Sequence, residues 1–267
     1  MLKTVFSLTG ADQFKPDTLL LEIGRNHCSY ACLNREEKYF SLIKSYLFNE
    51  ADALPEMRRI LDELQPGHFS LIAVSYSLPE AFLVPEEFSL QADDLLAAVF
   101  DRPGSRHVSD EQLETGAAMH YLVPGDLDRL LREKFSDSRY FHFFTTMLKV
   151  HNGFASTNQI GLDFTTDRFS VFVRREGRLE LVQHYAYKTP LDVVYYLLKI
   201  CYEFGLSQTD VALVLSGLIE KDSALYTELH HYFLNLQFAQ PPSYSAPDKG
   251  FPDYYFTSLY NLATCVS

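Results

Sequence analysis

LLLEIGRNHCSYACLN at residues 19–34 and IGLDFTTDRFSVFVRR at residues 160–175 are two versions of one pattern. They align at a constant offset of 141 residues, and the match extends without a gap over 19–76 and 160–217, carrying Glu22 onto Asp163 and Ser75 onto Ser216. Each copy continues with a third strand (KYFSLIKSYLF at 38–48, RLELVQHYAY at 178–187), an amphipathic stretch, and an apolar strand (FSLIAVSY at 69–76, VALVLSG at 211–217). A repeat of this length is too long for a solenoid or propeller and predicts two domain-sized halves.

The second half is the more legible. Ile160, Leu162 and Phe164 alternate with other residue types, Phe169 to Val173 is a β-branched and aromatic run, and Arg178 to Tyr187 alternates again. The short connections TTD and REG make these three an antiparallel meander. Thr189, Pro190 and Asp192 supply an N-cap, a proline at the first helical position and an acid two residues later, and Gly205 stops the helix. Val194, Leu197, Leu198, Cys201 and Tyr202 form the expected buried stripe. Tyr195, Tyr196, Ile200 and Phe204 make the helix apolar nearly all round, as for one packed on both sides. Strand Val211–Ser216, a helix from Asp222 to Phe233, strand Leu236–Ala239, a Pro/Ser loop at 241–250 and a terminal helix from Pro252 follow. The order is βββαβαβα, a mixed sheet between helical layers.

The first half repeats βββαβ, with Leu54, Met57, Ile60, Leu61 and Leu64 marking its helix. Residues 77–115 have no counterpart, and an inserted subdomain is expected there. The alternating theme resumes with strand Ala118–Val123, a helix from Pro124 to Phe135, strand Arg139–Phe143 and a helix ending by Asn152. The domains are thus 1–152, with the insertion at about 77–115, and 158–267, joined through Asn152–Gln159.

Composition narrows the function. At 267 residues and 47% hydrophobic content the chain can bury two modest cores. Its 23 basic and 35 acidic residues give a net charge of −12, which repels phosphate backbones and speaks against nucleic acid. No apolar run approaches the roughly 20 residues of a membrane helix, and MLKTVFSLTG lacks the features of a secretory signal, so a cytoplasmic protein without membrane insertion is expected. Four cysteines make no disulfide framework. Cys28 and Cys32 share a strand face roughly 13 Å apart, and Cys201 and Cys265 read as small buried hydrophobes. The histidines are scattered, His230 and His231 diverge on a helix, and no metal site built from His or Cys is expected.

Two βββαβαβα halves, each with a carboxylate near the end of its first strand, resemble the actin-like ATPase superfamily, which includes Hsp70 chaperones and sugar kinases and shares its half-domain with ribonuclease H. AFLVPEEF (81–88), MHYLVPGDLDRLLREKF (119–135) and above all TPLDVVYYLLKICYEFGLSQTDVALVLSGLIEKDSALYTELHHYF (189–233) are similar to one uncharacterised bacterial family of that fold, domain of unknown function 3822. The likeness spans nearly the whole chain. It implies a duplicated ribonuclease H-like, actin-like ATPase fold with an inserted subdomain, and no defined activity.

In catalytic members of the superfamily a D-x-G-type turn in each half lets backbone N–H groups approach nucleotide phosphates while carboxylates hold Mg²⁺ through water. Here the first turn reads Glu22-Ile23-Gly24-Arg25-Asn26, with bulky Arg25 where a small residue is usual. The second reads Asp163-Phe164-Thr165-Thr166-Asp167, with no glycine. A later one reads Leu215-Ser216-Gly217-Leu218, with one glycine of a pair. The resemblance makes Glu22 and Asp163 the catalytic candidates and Gly24, Arg25, Thr165, Thr166, Ser216 and Gly217 the cleft candidates, with ATP and magnesium as the implied cofactor. Against this stands a plainer reading: vestigial acids held by local hydrogen bonds or by Arg25, and glycines that only make turns. A nuclease would need three or four converging carboxylates, which the sequence does not supply, and no G-x-S-x-G elbow is present. The expected function is a degenerate, non-hydrolysing actin-like protein acting through protein contacts. The alternative is an ATP-binding ATPase or small-molecule kinase with a diverged cleft.

Overall fold

The computed structural model describes residues 2–10, 13–111, 113, 116–150, 157–240, 244–247 and 250–267. The chain divides into two compact units. The first comprises Met1–Asn152, Pro242–Gly250 and Ser258–Ser267; the second comprises Gly153–Pro241 and Phe251–Thr257. The second half was expected to run unbroken over 158–267; instead its last ten residues cluster with the first unit. Most of the expected junction, 152–156, lies outside the described residues, as do 241–243 and 248–249 of the Pro/Ser loop.

The first unit begins with β1 (Lys3–Thr9), β2 (Thr18–Gly24), β3 (His27–Asn34) and β4 (Tyr39–Leu47), followed by α1 (Ala53–Asp62) and β5 (Leu71–Ser77). Next come β6 (Ala81–Pro85), α2 (Ala92–Val99), β7 (Ser105–Ser109), β8 (Ala117–Pro124), α3 (Gly125–Lys134), β9 (Arg139–His142) and α4 (Phe143–Val150). The main sheet has the order β1-β4-β3-β2-β5-β9. Its central strand β2 is buried at every position, so its sequence is a continuous apolar run broken only by Thr18, Glu22 and Gly24. Met57, Ile60 and Leu61 are the buried residues of α1.

Two features of this unit differ from expectation. β8, expected to rejoin the main sheet, instead forms the centre of a separate three-stranded sheet, β6-β8-β7, so the insertion reaches Pro124 rather than stopping near 115. An alternating pattern cannot say which of two sheets a strand joins. The edge strand β1 was also not foreseen. Only Phe6 and Leu8 of its seven residues are buried, and that short alternation was its one signal.

The second unit contains β10 (Gln159–Phe164), β11 (Arg168–Arg175), β12 (Arg178–Ala186), α5 (Pro190–Phe204), β13 (Ala212–Gly217), α6 (Ala224–Tyr232) and β14 (Asn235–Phe238). Its sheet runs β12-β11-β10-β13-β14. This matches the order β4-β3-β2-β5-β9, with the first three strands antiparallel and the last two parallel in each. The offset of 141 also carries one ladder onto the other, since Glu22 pairs with Ser29 and Ser75 while Asp163 pairs with Ser170 and Ser216. The third strand departs: Cys28 pairs with Tyr46, but Phe169 pairs with Tyr185, two residues short of the offset. The cause is the turn, because Glu176 and Gly177, both at positive φ, close the second hairpin in two residues where the first uses 35–38.

α5 begins at a capping box, with Thr189 accepting from the Asp192 N–H and the Asp192 carboxylate accepting in return, and ends on Gly205 in the left-handed region. Val193, Val194, Leu197, Ile200 and Cys201 are buried and pack with Phe164, Phe169, Leu213 and Leu215. The all-round packing expected for this helix is not found. Tyr195 is 62% exposed and Tyr202, expected in the buried stripe, is 86% exposed, because the stripe advances along Val193, Leu197, Ile200 and Cys201 and leaves Tyr202 on the outer face. The last helix, α7 (Thr257–Val266), buries Leu259, Tyr260, Leu262, Ala263 and Val266. Tyr260 meets Phe40 of β4 at 5.2 Å between ring centroids. Among the described residues no helix is long and apolar enough to cross a membrane.

Candidate functional site

In each sheet the carboxylate sits on the central strand, near its C-terminal end, with a serine opposite it on either neighbour. Glu22 and Asp163 are only 7% and 8% exposed. Ser216 Oγ lies 2.7 Å from Asp163 Oδ2 and 3.0 Å from the Leu162 carbonyl; its single proton serves one acceptor at a time, and the carboxylate is the stronger. Ser170 Oγ is 2.8 Å from His184 Nδ1. In the first unit the equivalent serines are disposed differently. Ser29 Oγ bonds Ser45 Oγ at 2.8 Å, and Ser75 Oγ is buried without a hydrogen-bond partner. The longer glutamate brings its carboxylate to His27, whose Nε2 is 3.4 Å from Oε1. Sequence reading matched Ser75 to Ser216 through the offset but named only Ser216 as a cleft candidate, and it did not single out Ser29, Ser170 or His27. The repeat offset applied to polar positions as well as acids points to the three serines.

The turn after β2 is filled by side chains. A Cβ on Gly24 would run into the His27 ring, so this glycine makes room for an imidazole that lies across the backbone. Arg25 is directed onto Glu50, with Nη1 at 3.1 Å from Oε1, and onto Glu80. Glu80, itself buried, also accepts from Arg102 Nε at 2.9 Å. Beside these ion pairs lies a cavity of about 320 Å³ within the first unit. Arg25, Glu50, Glu80, Arg102, Ser105 and Asp126 are its polar side chains, Gly24 also lines it, and Leu54, Met57 and Leu78 are among its apolar residues. Two guanidinium groups against three carboxylates give this lining a net negative formal charge.

In the second unit the turn backbone is committed internally. The Thr165 N–H donates to the Arg168 carbonyl at 2.9 Å, its hydroxyl lies 3.1 Å from the same oxygen, and Tyr187 donates to the Thr165 carbonyl at 2.8 Å. Thr166 is exposed at the tip. Gly217 has φ 74°, and a Cβ there would strike the Phe164 carbonyl oxygen. This close passage lets the Leu218 N–H donate to that oxygen at 2.7 Å. The structure therefore brings Asp163, Thr165, Ser216 and Gly217 together at the ends of β10 and β13, and Glu22, Gly24 and Arg25 together at the end of β2. A phosphate cradle requires backbone N–H groups turned toward the ligand beside residues small enough to allow its approach. The residues of these turns do not fit a magnesium–nucleotide in that manner: the Thr165 and Leu218 donors are spent on carbonyls, and His27 and Arg25 occupy the approach at Gly24.

Burial pushes the Cys32 and Cys201 thiols up to about 11 and raises that of Cys28, with Glu22 adding to the effect, which keeps them protonated.

The strand order and the acid-bearing central strands define the class: this is a protein of the actin-like ATPase fold. The family described as "protein of unknown function (DUF3822)" matches residues 9–236, and the chain belongs to it. A structure from Bacteroides thetaiotaomicron VPI-5482, described as having an actin-like ATPase fold and unknown function, is similar at TM-score 0.77 and 15% identity, covering 96% of this chain and 100% of that one. The PilM–PilN type IV pilus biogenesis complex gives 0.61 at 13% identity, covering 94% and 99%. At these identities the likeness concerns fold alone. No curated protein matches the chain by sequence.

Proposed function

We propose that this chain is an actin-like-fold protein that does not turn over ATP and works in the cytoplasm through contacts with other proteins. The observation that carries this reading is the occupation of both turns by the protein's own groups: His27 and Arg25 at Gly24, and the internally bonded Thr165 and Leu218 N–H groups. One structural neighbour of the same fold is, by its description, a complex between two proteins, which is the mode of action inferred here. Calorimetric titration of the full chain with Mg-ATP tests the first part, and no saturable heat is expected up to millimolar ligand. Saturable heat accompanied by phosphate release, both lost in Asp163→Ala, would refute it. Affinity purification at native expression level, followed by mass spectrometry, tests the second part; a chain that stays partnerless and monomeric counts against it.

The second reading is a nucleotide-dependent ATPase or small-molecule kinase with a diverged cleft. It is favoured by one observation, the retention in both units of a buried acid flanked by two serines. The same titration decides between the two.

A further inference from the structure

The inserted subdomain carries a surface that the turn chemistry does not use. Phe88, Leu90, Leu95 and Val99 are all exposed large apolar side chains, and they fall on the 3-10 turn Glu86–Gln91 and on α2. The helix itself is anchored, since Ala92 and Leu96 on its other face are buried and Phe100, just past its end, stacks on Phe82 of β6 at 5.0 Å. Between helix, turn and strand runs a groove of about 280 Å³ lined by Phe82, Leu83, Pro85, Phe88, Leu95 and Val99. An anchored element that still holds several large apolar side chains in water around a groove is the mark of a contact surface rather than of scattered exposure.

Charge indicates what would cover it. Between residues 81 and 101 the sequence contains Glu86, Glu87, Asp93, Asp94 and Asp101 and no lysine or arginine. Asp93 contacts His107, and the next base in the chain, Arg102, is directed onto Glu80. The apolar groove therefore lies within a field of carboxylates. A second copy of the same face would bring like charges together, and an anionic bilayer would be repelled in the same way. Strand addition is discouraged because the edge strand β6 has five residues and ends in Pro85, so side chains rather than backbone would carry recognition.

We propose that this face docks a partner protein through a short segment whose apolar side chains enter the groove while flanking lysines or arginines meet the surrounding carboxylates. The proposal rests on the reading that the protein acts through protein contacts and names the surface and the partner's chemistry. Fluorescence anisotropy of the full chain with a labelled synthetic peptide of alternating leucine and lysine, against its leucine–glutamate counterpart, tests it. The lysine peptide should bind at least about tenfold more tightly and weaken as salt is raised. Leu95→Arg with Val99→Arg, both at exposed positions, should abolish binding, and Glu87→Lys with Asp94→Lys should weaken it without disturbing the apolar groove. Equal binding of the two peptides, binding undiminished in either double variant, or no binding of the lysine peptide would overturn the proposal. Concentration-dependent dimerisation lost in Leu95→Arg would assign the face to a second copy instead. The nucleotide test is independent: saturable Mg-ATP heat accompanied by phosphate release would sink the non-hydrolysing reading and leave the peptide result standing, whereas peptide failure alone leaves that reading intact.

Discussion

Gly24 and Gly217 end β2 and β13 for different reasons, and substitution separates them. Gly217 sits at φ 74° against the Phe164 carbonyl, so alanine there meets both backbone strain and a fixed oxygen; a loss of about 2 kcal/mol or more is expected in urea unfolding. At Gly24 the obstacle is the far end of the His27 side chain, which can swing aside, so Gly24→Ala should cost clearly less. Equal losses would contradict this account. His142 supplies a pH dependence. Its Nε2 lies 2.9 Å from the Leu78 carbonyl, its Nδ1 accepts from the Phe144 N–H at 3.2 Å, and burial pushes it down to about 4. Because the folded group resists protonation, the unfolded chain binds the extra proton first. Stability is therefore full above pH 6.5 and falls between 6.5 and 4, by about 3 kcal/mol at most. Asp110 acts in the opposite sense, since burial raises its carboxyl and its contribution is lost as pH rises. Thermal melts of His142→Gln against wild type isolate the histidine: the acid limb should flatten.

At the scale of elements, the Asp110 carboxylate is one of the ties between the insertion and the main sheet. Asp110 accepts from the His142 N–H at 2.6 Å, at the start of α4, and from the Tyr121 hydroxyl of β8 at 2.9 Å. It thereby satisfies a helix N-terminus and a buried phenol with the same group. Asp110→Ala should lower stability by about 2 kcal/mol through the unpaired Tyr121 hydroxyl and the lost cap, measurable by denaturant unfolding. A change within experimental error would show that water replaces the carboxylate. The second sheet has its own anchor in the Thr189–Asp192 capping box of α5, which was readable from sequence because caps are local. The Asp110 anchor was not readable, since its partners lie 11 and 32 residues away.

For the whole molecule, the assignment of α7 to the first unit makes a prediction that the sequence order would not. Removing Ser258–Ser267 should strip cover from Phe40 and open the first sheet. Hydrogen exchange should then show lost protection in β3 and β4 with β10 and β13 retained; loss confined to the second unit would refute this. Local rules carried most of the architecture. The period-two runs, the cap at Thr189 and the stop at Gly205 are short-range features that fixed strand types and helix limits, while the offset relating Glu22 to Asp163 compares two stretches of sequence without needing any contact between them and carried the likeness between the two sheets. Tertiary structure decided what depends on distant partners: that β8 leaves the main sheet, that α7 joins the first unit, and that Tyr202 faces out. It also decided what fills the turns. The sequence specified a lone glycine at residue 24 and an arginine at residue 25, but only the fold brings His27 over the one and Glu50 and Glu80 against the other. A residue's type sets which contacts it can make, and the packing of the chain sets which of them it does.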